Sequence, residues 1–282
     1  FASETPDAVA LRSFGSDKTW HERTWKAFLD GVRSTADAYG PKFGLKPREE
    51  NVALILGNGP VWMEAYLAQS GCGVSVVPLD PKLHNAEVQY ILKDSGAVVV
   101  TTDKAHLEMM RQIAADLPDL RAVVIVDGGQ PSYDAIGQVP VYDYENLRDH
   151  DGTWFARNVA REDDVASVIY TSGTTGKPKG AMLTHGNFMA DVEGALGAFG
   201  ERVDSSDSLL IILPLFHAFS FLANFVLGLY RGMTMSFVRS LYTVGEDVKL
   251  VQPTLVMAVP LLAEKVYDKI DAKLKASKAA KF

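Results

Sequence analysis

Residues 171 to 180 read Thr-Ser-Gly-Thr-Thr-Gly-Lys-Pro-Lys-Gly. Glycine lets backbone N–H groups approach an anion closely and take positive φ. Threonine and serine hydroxyls add donors, and Lys177 and Lys179 add positive charge. Successive amides in such a turn form an anion-binding nest, and a polyphosphate is the guest that suits it. Two commoner phosphate loops do not fit. The P-loop needs G-x-x-x-x-G-K-[ST], whereas here Gly176 follows Gly173 by three positions and Pro178 follows Lys177. A dinucleotide fingerprint needs G-x-G-x-x-G opening a helix, and Gly57-Asn-Gly59 and Gly71-Cys-Gly73 both lack the third glycine. Pro178 predicts that the loop joins two strands. The bland alternative is a flexible linker of similar composition.

The flanking segments must position this loop. Strand character at Val165–Tyr170 and Ala181–Thr184 brackets it. Upstream, short apolar runs alternate with helical stretches. Strands are predicted at Val52–Leu56, Val74–Leu79, Ala97–Thr102 and Arg121–Val126. Helices are predicted from Pro60 to about Ser70, stopping at Gly71 and Gly73, from an Asn85 cap to Gly96, and over 103–116. This alternation predicts parallel strands with helical crossovers. Residues 127–163 read as a long polar connection, and the N-terminal segment carries a helix at about His21–Tyr39.

Downstream, a helix is predicted near Asn187–Phe199 and strands at Met233–Val238 and Thr254–Val259. Thr243-Val-Gly-Glu246 reads as a capping box. A long amphipathic helix opens at Val259-Pro260, with Leu262, Val266, Ile270 and Leu274 at four-residue spacing. Its lysines, Lys265 to Lys281, read as a solvated face. Ser208–Tyr230 lacks charge over 23 residues, long enough for a membrane test. Pro214 would break a helix interior, so the stretch splits into a strand (Leu209–Leu213), a loop (Pro214–Ala218) and a helix (Phe219–Tyr230). A membrane-anchored protein using 208–230 is the disfavoured alternative.

Bulk properties narrow the function classes. The chain has 282 residues, 47% hydrophobic and 22% charged, with formal net charge −7. These are ordinary values for a globular protein with a sizeable core. The acidic balance argues against nucleic acid as a partner. Cys72 is the one cysteine, which excludes an intrachain disulfide or a cysteine zinc site and suits a reducing, cytoplasmic compartment. Between two glycines in an apolar stretch, it reads as a buried thiol.

The run Tyr170-Thr-Ser-Gly-Thr-Thr-Gly-Lys-Pro-Lys-Gly180 resembles the signature of the adenylate-forming superfamily, which includes acyl- and aryl-CoA synthetases, peptide-synthetase adenylation domains and luciferases. Supporting stretches stand in order: Gly73-Val-Ser-Val-Val-Pro-Leu-Asp-Pro81, Pro214-Leu-Phe-His217, and Gln252-Pro-Thr254 with Val259-Pro260. The resemblance covers essentially the whole chain. It implies an α/β fold of layered αβα subdomains with mostly parallel sheets. One subdomain would be 51–185, ending in the phosphate loop, and the other 1–50 plus 186–282, with the acyl site.

The resemblance also implies chemistry. Thr171, Ser172, Gly173, Thr174, Thr175, Gly176 and Lys179 would hold the β- and γ-phosphates of ATP, with Thr171 a candidate Mg²⁺ contact. Lys177 reads as exposed. His217 would sit near the acyl carboxylate, with a hydrogen-bonded core histidine as the alternative. Phe216, Phe219 and Phe221 would suit an acyl tail, although core packing predicts the same residues. Coenzyme A would accept the acyl group.

Val259–Ile270 is most similar to long-chain fatty acyl-CoA synthetases, and peripheral membrane contact stays open. Acyl-carrier-protein synthetase is the neighbouring reading, and a non-catalytic nucleotide- or lipid-binding module is the reading from another class. The family's Gly-Gly-Ala and Tyr-Gly-x-Thr-Glu stretches, ribose-binding Asp and catalytic-lysine domain do not occur in these residues. The expectation is therefore an N-terminal portion that does not turn over alone.

Overall fold

The computed structural model describes all residues except 128, 130–132, 148–152, 172–175, 200–201, 261–262, 265–266, 269–270, 272–274 and 276–282. The final predicted helix and most of its lysines lie largely outside the described residues, as do Ser172, Gly173, Thr174 and Thr175.

The chain opens with a hairpin that the sequence reading missed. Strands β1 (Val9–Phe14) and β2 (Trp20–Thr24) pair antiparallel around a turn at Gly15–Thr19. The first helix therefore starts later than predicted. It is α1 (Trp25–Phe43), opened by Thr24, whose hydroxyl accepts from the Ala27 N–H at 3.2 Å. Its Trp25, Phe28, Val32, Ala36, Tyr39 and Phe43 are buried at three- and four-residue spacing.

Next come β3 (Asn51–Ile55), α2 (Pro60–Ser70), β4 (Ser75–Pro78), α3 (Asn85–Ser95), β5 (Ala97–Asp103), α4 (Leu107–Ile113) and β6 (Ala122–Val126). His84, rather than Asn85, occupies the cap position of α3, and its N–H donates to the Glu87 carboxylate at 3.1 Å. The helix predicted over 103–116 is α4 flanked by two short 3₁₀ turns.

The connection 127–163 contains structure that its polar composition hid. Strand β7 (Val141–Asp143) adds to the sheet beside β6, and α5 (Thr153–Arg157) packs on α1. Buried Asp37 of α1 accepts from the Phe155 N–H at 2.7 Å. Then follow β8 (Val165–Thr171), β9 (Lys179–Thr184), α6 (His185–Phe199) and β10 (Ser208–Ile211). A helical run follows, made of α7 (Ala218–Ser220), a π-helical Phe221–Val226 and α8 (Leu227–Arg231). Strand β11 (Thr234–Phe237) and α9 (Val244–Val251) complete the assigned elements.

Two predicted details are not formed. Of Thr254–Val259, only Leu255 bridges Leu209, and Val256 and Val259 are exposed. Thr243 does not make the capping box: its backbone is helical (φ −96°, ψ −2°), and its hydroxyl lies 2.9 Å from Asp247 while Glu246 pairs with Arg239.

The strands form two sheets. A seven-stranded sheet runs β7-β6-β5-β3-β4-β8-β9, parallel except for the β8–β9 pair. A four-stranded sheet runs β10-β11-β1-β2, parallel except for the hairpin. Residues 51–185 supply the first sheet, and the flanking segments supply the second.

One apolar core joins the two sheets through α2 and the π-helical run, around Trp62, Tyr66, Phe221 and Phe225. Helices α3 and α4 close a second core on the other face of the larger sheet. Glu64 of α2, fully buried, pairs with Arg23 of β2, so an ion pair also ties the smaller sheet to this shared helix. Parallel sheets covered on both faces direct their functional loops to the carboxyl ends of the strands. Among the described residues no helix is long and apolar enough to cross a membrane.

Candidate functional site

The glycine- and threonine-rich loop joins β8 to β9, as Pro178 predicted. Thr171 ends β8 and stands directly across from Lys179, which begins β9. Both are exposed, so a hydroxyl and an ammonium flank the mouth of the loop. Gly176 has φ 90°, a conformation that side-chain-bearing residues rarely take. Gly180 is required for a different reason. A Cβ there would lie 2.7 Å from Val168 Cγ1 and 3.1 Å from the Tyr170 ring, so only glycine lets the ribbon close over that ring.

Helix α3 holds the loop from below. Tyr90 donates its hydroxyl to the Pro178 carbonyl at 3.2 Å, and the Lys177 ammonium lies 5.6 Å from the Tyr90 ring centroid. Lys177 is thus engaged by a ring rather than merely exposed, at a distance suited to a cation–π contact. Tyr170 donates to the Asp94 carboxylate at 2.6 Å. Partial burial and then the neighbouring Asp94 push the Tyr170 phenol well above its usual range. Tyr90 and Asp94 escaped the sequence reading. Their i, i+4 spacing on a helix, which places both on one face, was the available signal.

His217 occupies the turn after β10. Its backbone N–H donates to the Pro214 carbonyl at 3.3 Å, and its own carbonyl accepts from the Phe221 N–H at 2.8 Å. The ring is exposed, stacks obliquely on Phe216 at 4.5 Å, and makes no hydrogen bond among the described residues. It is therefore not a core histidine. The three aromatics around it go separate ways. Phe221 is 1% exposed and belongs to the core, Phe216 is half-buried, and Phe219 is 54% exposed.

The His217 turn is anchored to the larger sheet. Asn58, just past β3, donates to the Leu213 carbonyl at 2.8 Å and accepts from the Leu215 N–H at 2.9 Å. The carboxyl ends of the two sheets therefore meet here. A crevice of about 860 Å³ opens between them, lined by Asn58, Trp62, Asp103, Asp143, Phe237 and Arg239 among others. A smaller apolar pocket of about 280 Å³ lies among Tyr66, Phe188, Met189, Phe225 and Leu229, with Phe221 but not His217 in its wall.

The donor set for a metal is sparse. Among the described residues no three His, Cys, Asp or Glu side chains gather to hold an ion. The exposed Thr171 hydroxyl fits a Mg²⁺ carried mainly by substrate phosphates and water, the usual habit of that ion. Cys72 is fully buried, and burial pushes its thiol up to about 12, so it is no nucleophile.

The chain is similar to known proteins over nearly its whole length. The family described as AMP-binding enzyme matches residues 1–281. A long-chain-fatty-acid–CoA ligase of Mycobacterium bovis is 31% identical over 280 residues, covering 94% of this chain and 43% of the relative. A peroxisomal long chain acyl-CoA synthetase of Arabidopsis thaliana is 28% identical over 272 residues, covering 94% and 38%. A chloroplastic long-chain-fatty-acid–[acyl-carrier-protein] ligase from the same plant is 25% identical over 319 residues, covering 95% and 43%. The chain thus spans roughly two fifths of the length of these relatives.

Among solved structures, a putative long-chain-fatty-acid CoA ligase of Rhodopseudomonas palustris superposes with a TM-score of 0.78 at 18% identity, over 95% of this chain and 63% of that one. The o-succinylbenzoate CoA synthetase of Bacillus subtilis, in complex with its acyl-adenylate intermediate, gives 0.72 at 23% identity, over 95% and 62%. The match over residues 1–281 shows that the chain belongs to the AMP-binding enzyme family.

Proposed function

We propose that residues 1–282 form the phosphate-gripping, carboxylate-facing portion of a ligase that joins a long-chain fatty acid to ATP and passes the acyl group to coenzyme A. The observation that carries this reading is the hairpin mouth, where Thr171 and Lys179 face each other across β8 and β9 at the carboxyl end of the sheet. In the first half-reaction a carboxylate oxygen attacks the α-phosphorus, and the bond from that phosphorus to the pyrophosphate oxygen breaks. Charge develops on the leaving pyrophosphate. Preorganised donors aimed at that charge lower the barrier. The Lys179 ammonium, the Thr171 hydroxyl and the loop residues Ser172, Gly173, Thr174, Thr175 and Gly176 fill that role in our reading.

Mg²⁺, contacted by Thr171, would neutralise further phosphate charge. The exposed His217 ring would face the acyl carboxylate, and the exposed ring of Phe219 would lie along the start of the acyl chain. In the second half-reaction the coenzyme A sulfur forms the thioester as the acyl C–O bond breaks and AMP departs. We further propose that 51–185 and 1–50 plus 186–282 act as two subdomains with the reacting groups between them.

A second reading, with an acyl carrier protein as the acceptor, is supported by the Arabidopsis relative of that name. It changes the thiol and leaves the first half-reaction alone. The test is ATP–pyrophosphate exchange with a panel of fatty acids, run on this chain and on the longer protein we propose it belongs to. We expect exchange that favours long acyl chains in the longer protein and none from residues 1–282 alone. Nucleotide binding without exchange in the longer protein would mean a non-catalytic module. A normal rate of acyl-CoA formation by 1–282 would show that the portion is self-sufficient.

A further inference from the structure

The turn that carries His217 belongs to one sheet and the phosphate loop to the other. Two groups on different sheets can act on one substrate only if something fixes the turn relative to the larger sheet. Among the described residues, one hydrogen-bonding side chain from that sheet's segment reaches residues 213–217, and it is Asn58. Both polar atoms of its amide are engaged at this contact. Nδ2–H donates to the Leu213 carbonyl at 2.8 Å, and Oδ1 accepts from the Leu215 N–H at 2.9 Å.

Pro214, between those two residues, has no N–H. The side-chain amide therefore takes the place a neighbouring strand would have, one donor and one acceptor on a planar group. Ser220 reinforces the same carbonyl, donating to Leu213 at 2.9 Å, and Asn224 supports Ser220 at 3.2 Å. Leu215 is fully buried, so the clasp has little room to slide.

We infer that Asn58 is a positioning residue for His217, holding the 213–217 turn in register with the sheet that carries the phosphate loop. This rests on the role proposed above for His217. The chemistry of the clasp is specific. Aspartate at 58 could accept from Leu215 N–H but would repel the Leu213 carbonyl. Alanine would make neither bond. Both polar atoms of the side chain are bonded to the turn, so its loss should act through geometry. Mispositioning of a reacting group by about 1 Å can cost on the order of a hundredfold in rate.

The test has two independent arms. In the first, amide hydrogen exchange is followed at Leu215 in the wild-type chain and in Asn58→Asp and Asn58→Ala. In Asn58→Ala the Leu215 N–H loses its acceptor, and losing a net hydrogen bond of about 1 kcal/mol should speed Leu215 exchange at least about fivefold, whereas Asn58→Asp keeps an acceptor there and should speed it less. Protection of the α4 amides, which pack in the second core on the other face of the larger sheet, reports whether the fold survived, and exchange there should stay unchanged. In the second arm, pyrophosphate exchange in the longer protein should fall about tenfold or more in kcat with either variant, with little change in KM for ATP.

Unchanged Leu215 exchange in a folded Asn58→Ala chain would overturn the clasp. A rate loss that appears wholly in KM for ATP would overturn positioning of His217. If His217→Ala leaves pyrophosphate exchange intact while Asn58→Ala still frees Leu215, the clasp stands and the role of His217 fails.

Discussion

The phosphate loop and the His217 turn sit at the carboxyl ends of different sheets, and they are held in opposite ways. The loop is the tip of an antiparallel hairpin whose chemistry is contiguous: Thr171 and Lys179 are eight residues apart in sequence and face each other across the strands. Its supports, Tyr90 and Asp94, come from one helix. The turn has no hairpin of its own. It hangs between a strand and a π-helical run and is clasped by Asn58, 155 residues from Leu213. A site made mostly of backbone and near neighbours survives transplantation between chains as a motif. A site made by a distant side chain exists only when the two sheets are assembled.

The sharpest way to break this contrast is Lys179→Ala. If the hairpin mouth grips the leaving pyrophosphate, pyrophosphate exchange in the longer protein should drop about a hundredfold to a thousandfold, the scale seen on removing one donor to developing charge. Leu215 exchange in the His217 turn should be untouched. A drop below tenfold would remove Lys179 from the grip.

A smaller effect is expected from Gly180→Val. The new side chain meets Val168 at 2.7 Å, a distance real Cβ atoms essentially never show, and the Tyr170 ring at a tight 3.1 Å. Overpacking of this kind costs about 1–3 kcal/mol, read as a lower Tm with the loss confined to β8–β9 exchange. An unchanged Tm would mean the ribbon is free to move aside.

The smallest effect is a pH dependence of the hairpin base. The folded-state pKa of Tyr170 is raised, by burial first and then by Asp94. A raised pKa contributes stability that is complete below the unfolded value, about 10, and is lost as pH climbs through the folded value. Tyr170→Phe should therefore flatten part of the decline in Tm above pH 10 and leave the slope near neutrality alone. The same decline in both proteins would show that Tyr170 contributes nothing to it.

Much of this architecture was legible residue by residue. The apolar runs at 52–56, 97–102 and 121–126 became β3, β5 and β6 because parallel strands buried on both faces read as continuous hydrophobic runs. The helix expected over Phe219–Tyr230, set off from the strand before it by Pro214, forms as α7, the π-helical Phe221–Val226 and α8. The hairpin at β1–β2 was missed because Trp20-His-Glu-Arg-Thr24 alternates weakly and faces solvent on one side. Strand β7 was missed because it is three residues long and is stabilised by β6 alone.

The sequence by itself marked the loop at 171–180 as the proposed phosphate grip, since such a grip is built from donors adjacent in the chain, and glycine and threonine announce it. It also determined the family. Only the tertiary structure decided that His217 is exposed while Phe221 is core, because both lie on one apolar stretch and nothing local separates them. It also decided that Lys177 rests on Tyr90, and that Asn58 reaches across to the His217 turn. Those outcomes depend on which faces meet when two sheets close on a shared helical layer, and that information is spread over the whole chain rather than written at any one position.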